Sequence, residues 1–83
     1  MKIIVTFKSK NQAMLYSTML FQKNVKNRVI NTPRFLSLSC GLSVEFDAEK
    51  IFYAKEILKG YSFDSLGGVY TINKNGTFDN IQL

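Results

Sequence analysis

Histidine and tryptophan are absent from this 83-residue chain, and cysteine and proline occur once each. Without His, no Ser-His-Asp or Cys-His machinery can be built within the chain. One Cys cannot close an internal disulfide. With no His to join it, a structural zinc site lacks its four nitrogen or sulfur ligands. No motif calls for a cofactor. Long apolar runs are missing too: nothing approaches the roughly 20 residues that cross a bilayer, so no transmembrane helix is expected. The opening Met1-Lys2-Ile3-Ile4-Val5-Thr6-Phe7-Lys8 is too short for a signal-peptide core and is broken by Lys, which points to the cytoplasm.

Acid is missing from the first half. Residues 1–44 hold Lys2, Lys8, Lys10, Lys23, Lys26, Arg28 and Arg34, and the first carboxylate is Glu45. Asp47, Glu49, Glu56, Asp64 and Asp79 follow, so a basic half precedes a slightly acidic one, with a net charge of +5 overall. Such a half steers toward an anionic partner or simply keeps the surface solvated. No Arg/Gly-rich tract accompanies it, which argues against nucleic acid.

What is present is the composition of a folded domain: 46% hydrophobic and 20% charged residues exclude disorder. A chain this short buries only about 60–65% of its unfolded surface, which leaves little room for a deep pocket. A carrier, binding module or subunit fits better than a self-sufficient enzyme.

Lys2 to Phe7 predicts a strand with Ile3, Val5 and Phe7 on one side. Ser9 and Gln12 form a capping-box pattern ahead of a helix from Lys10 to Lys23, with Ala13, Tyr16 and Leu20 on one face beside Met19. Arg28 to Asn31 is a short second strand, stopped before Pro33. Residues 32–40 are a loop, and Gly41 admits a third strand in which Leu42, Val44 and Phe46 alternate with Ser43 and Glu45. Asp47 is a candidate N-cap for a second helix running to about Leu58, with Gly60 just past its end. Gly67 to Ile72 predicts a fourth strand, with Gly67-Gly68 a turn into it. Asn75-Gly76 is a two-residue hairpin signal, and Thr77 to Ile81 forms a fifth strand or a tail. The order is β-α-β-β-α-β, that of a ferredoxin-like α+β two-layer sandwich with an antiparallel sheet, two helices on one face and a C-terminal hairpin extension. Residues 1–72 form the domain and 73–83 the hairpin or tail.

The chemistry concentrates in Pro33-Arg34-Phe35-Leu36-Ser37-Leu38-Ser39-Cys40-Gly41. The only thiol stands at the end of a polar loop, before a Gly that lets a partner's backbone approach. Loop amides and the charge of Arg34 favour a thiolate. The alternative is a small buried apolar residue, a common fate of a lone Cys.

Together, several features resemble the Se/S carrier protein-like family. They are the opening Val5-Thr6-Phe7, then Ser9 and Ala13, then Pro33-Arg34, Ser37 and Ser39-Cys40-Gly41, and finally Gly68-Val69-Tyr70. The resemblance covers roughly residues 2–72, and its specific part is Ser39-Cys40-Gly41 after Pro33-Arg34. It implies sulfur or selenium trafficking, with Cys40 holding a persulfide or selenosulfide. Arg34, Ser37, Ser39 and Gly41 would form the sulfur's surroundings. A cysteine desulfurase or selenium-handling enzyme would be the donor, and another protein the acceptor. TusA-type carriers place Cys-Pro at the start of a helix, whereas Cys40 precedes Gly41 and a predicted strand. The competing class is a non-catalytic interaction or regulatory module of the same fold that docks a protein or small anion. An open sheet edge also leaves room for two copies to pair.

Gly67-Gly68 lacks the rest of a phosphate-binding motif. Phe52 and Tyr53 splay apart on a helix, one for core and one for surface. Leu42-Ser43-Val44-Glu45-Phe46 does not match the third strand of an RNA-recognition sheet.

Overall fold

The computed structural model describes residues 1–34, 36 and 41–81. Five antiparallel strands form one sheet in the order β2-β3-β1-β4-β5. They are β1 (Lys2–Phe7), β2 (Asn27–Asn31), β3 (Leu42–Asp47), β4 (Leu66–Ile72) and β5 (Phe78–Ile81). Helix α1 (Lys10–Gln22) links β1 to β2, and α2 (Ile51–Gly60) links β3 to β4 after a short 3-10 turn, Ala48–Lys50. Both helices pack on the face bearing Ile3, Val5 and Phe7, where Ala13, Tyr16, Leu20, Val44, Phe46, Ala54, Ile57, Phe63 and Val69 complete the core. No helix among the described residues is long and apolar enough to cross a membrane.

The central strand, rich in β-branched residues, is buried on both sides. Ile4 and Thr6 point away from the helices and are still buried, because β3 and β4 flank them with Glu45, Ser43, Tyr70 and Gly68. Three rings fix the helix-side core. Phe7, Tyr16 and Phe63 lie 5.3 to 5.5 Å apart, the last pair edge to face.

Several local expectations change. The Ser9 hydroxyl accepts from Gln12 N (3.2 Å), but the return half of the capping box is not made. Gln12 Oε1 instead accepts from Ser65 N (3.0 Å) and Ser65 Oγ (2.6 Å), and its Nε2 donates to Asp64 (2.5 Å). Asp47 does not cap α2; it pairs with Lys2 at 3.0 Å across the β1–β3 ladder. That hydrogen bond and the Lys2 charge hold the Asp47 carboxyl below the usual carboxylate range. Gly60 is the last helical residue and Tyr61 follows in extended conformation. Gly67 and Gly68 lie inside β4 beside a register shift at Thr6 and Phe7, so they are strand rather than turn. The hairpin is wider than two residues: Asn73 N donates to Thr77 O (2.8 Å), and Gly76 supplies φ of 85°. Beyond it, β5 extends the sheet, and Ile81 packs against the core. Phe52 is exposed while Tyr53 packs on the core, as helical geometry requires.

Candidate functional site

The loop between β2 and β3 leaves the sheet at the end where β1 gives way to α1. Its two roots are held together. Thr32 N donates to Gly41 O (3.2 Å), and the hydroxyls of Thr32 and Ser43 share a hydrogen bond of 2.7 Å. Ser43 is fully buried, so this bond satisfies a hydroxyl that water cannot reach. Inside the loop, Leu36 N donates to Pro33 O (3.0 Å), closing a turn that leaves Arg34 exposed.

Gly41 has a structural reason of its own. A Cβ there would collide with the Phe7 carbonyl oxygen and lie 3.5 Å from Lys8 Cα. Only a residue without a side chain lets β3 come this close to the end of β1. Phe7 in turn belongs to the buried aromatic cluster, so the loop's second root abuts a fixed part of the core. Lys8, whose N–H donates to Ser65 O (2.9 Å), is exposed beside Gly41 and adds positive charge at this end of the sheet.

Of the residues expected to form the site, Arg34 and Gly41 are placed in this way. Cys40, Ser37 and Ser39 lie outside the described residues. Sequence reading missed Lys8, Thr32 and Ser43. The signal for them was the strand pairing: antiparallel register sets Ser43 across from Thr6 and carries Gly41 past Phe7 to Lys8. On the face away from the helices, one row crosses the sheet as Ile30, Ser43, Thr6 and Gly68, and the Tyr70 ring lies over Gly68. Thr6 Oγ1 donates to Gly68 O at 3.4 Å.

Among the described residues no group of three Asp, Glu, His or Cys side chains could hold a metal ion. A depression of about 500 Å³ lies at the other end of the sheet among Lys2, Lys26, Arg28, Glu45 and Asp47. Two surface ion pairs, Lys2–Asp47 and Arg28–Glu45 (2.9 Å), hold four of its charges, and Lys26 is left beside them. At the loop end of the sheet the described residues are thus the two joined roots of the loop, with Lys8 and Arg34 exposed near them. The family model described as "Putative Se/S carrier protein-like" matches residues 2–67. The chain belongs to that family. The match spans the whole loop and stops at Gly67, short of the Gly68-Val69-Tyr70 similarity. No curated protein and no solved structure matches the chain.

Proposed function

We propose that this Se/S carrier family member carries sulfur or selenium on Cys40 and is not itself an enzyme. Membership of the family over a stretch that contains Cys40 carries this reading. In the transfer step the Cys40 thiolate attacks the outer sulfur of a donor persulfide. The new S–S bond forms as the donor's S–S bond breaks, and the donor leaves as its thiolate. No outside oxidant is needed, and the donor and acceptor enzymes supply the proton transfers, which suits a chain without His. A cysteine desulfurase or a selenium-handling enzyme is the donor class this chemistry requires. Lys8 and Arg34 supply positive charge at the loop end, and Ser37 and Ser39 supply hydroxyl donors for the sulfur anion. Gly41 and the Thr32–Ser43 bond support the reading by anchoring the segment on which the thiol stands.

The strand order β2-β3-β1-β4, with β5 added outside, supports a ferredoxin-like reading of the architecture. That architecture also suits an interaction module. The two functions part at the thiol. In the native protein the carrier reading expects Cys40 to alkylate readily, with a rate that rises with pH as the thiolate forms. An interaction module tolerates an inert Cys40, and Cys40→Ser leaves its docking unchanged. Alkylation only after unfolding would refute the carrier.

A further inference from the structure

One side of the molecule joins an open strand edge to an exposed apolar helix flank. Strand β2 is an edge of the sheet. The bond from Thr32 N to Gly41 O sets the phase of its ladder with β3. Arg28 and Ile30 therefore turn their backbone groups toward β3, while Asn27, Val29 and Asn31 turn theirs outward. Among the described residues nothing pairs with that outer side. Residues 27–31 include no Lys and no Pro, and the register with β3 has no bulge, so Arg28, already paired with Glu45, is the one charge on this edge.

Helix α1 lies above this edge. Its Ala13, Tyr16, Ser17 and Leu20 face inward, and Ser17 bonds to Asn27 of β2. Met19 and Lys23 line a groove with Glu56, Ile57 and Gly60, so that flank faces α2. At 3.6 residues per turn Met14 and Phe21 share the opposite flank, on the β2 side. They are 53% and 54% exposed.

We propose that this side joins two copies of the chain. The β2 strands pair antiparallel about a two-fold axis at Val29, one sheet runs through both copies, and the Met14–Phe21 flanks pack on each other. The sequence Asn27-Arg28-Val29-Ile30-Asn31 fits a second copy in particular. Val29 meets Val29, Asn27 meets Asn31, and the outward N–H and C=O groups of all three find partners, as a self-complementary interface demands. Arg28 meets Ile30, and its charge is already met by Glu45 within the same copy (2.9 Å). Each copy carries a net charge of +5, so the two repel as they meet and salt strengthens this association. An acidic protein docked on the same side would bind more weakly in salt.

The test is sedimentation equilibrium on the full chain with a reductant present, so that no disulfide through Cys40 contributes. The expected mass is about twice the 9.5 kDa of one chain, with dimer favoured at about 0.5 M over about 0.05 M NaCl. Phe21→Glu, at an exposed position, raises the dissociation constant at least about tenfold with an unchanged circular dichroism spectrum. Val29→Pro does the same by a separate route, since the N–H it removes points away from β3. A mass of 9.5 kDa up to about 1 mM in either salt would overturn the proposal and leave the edge to a strand of another protein. A dimer that salt weakens and neither substitution affects would also overturn it. The result is independent of Cys40 chemistry, so the carrier reading stands or falls separately.

Discussion

At position 16 a phenol stands among apolar side chains, and among the described residues its hydroxyl reaches only the Ala54 carbonyl oxygen, at 3.4 Å. Burial pushes the pKa of Tyr16 up. The folded state therefore favours the neutral phenol. The corresponding stability is complete below the unfolded value of about 10 and is lost as pH rises toward the folded one. Tyr16→Phe should cost about 0.5–1.5 kcal/mol near pH 8, for one long hydrogen bond. Urea unfolding at rising pH should then show the gap from wild type shrinking above about pH 10. A gap constant with pH would contradict the assignment. The sequence marks Tyr16 as core by its spacing from Ala13 and Leu20. It does not show that the hydroxyl has a single long bond, because Ala54 lies 38 residues away.

Among the elements, α1 shows how a correct local pattern serves a different contact. Ser9 and Gln12 have capping-box spacing, and Ser9 does its half. Gln12 spends its amide on Asp64 and Ser65, more than 50 residues on, and so ties the start of α1 to the segment entering β4. Gln12→Ala should therefore cost about 1–3 kcal/mol, since it leaves the Ser65 N–H without its partner. Ser9→Ala should cost about 1 kcal/mol, that of a cap alone. Chemical denaturation of both variants checks the order; a silent Gln12→Ala would contradict it. The same distinction governs the other elements. Strands and helices were legible from periodicity, since the hydrophobic pattern and the element share a cause. The uses of Asp47 and Gly67 were not, because pairing with Lys2 and the close approach of Thr6 are tertiary.

For the whole molecule, the basic first half does not form one patch. Lys2 and Arg28 are consumed by acids of β3, while Lys8 and Arg34 stay exposed near the loop between β2 and β3. The loop, its lone thiol and the Gly that follows were legible as a candidate site because the chain offers no other nucleophile of that kind. The anchor through Thr32, Ser43 and Phe7 was not, since it depends on which strands become neighbours. The central claim is that this anchored segment presents a sulfur-accepting Cys40. The most direct measurement is intact-protein mass spectrometry after incubation with a cysteine desulfurase and free cysteine, beside a Cys40→Ala control. The account predicts the gain of one sulfur atom on the wild type, reversed by reductant and absent from the control. An unmodified wild-type mass, with a thiol that also resists alkylation in the folded protein, would contradict it.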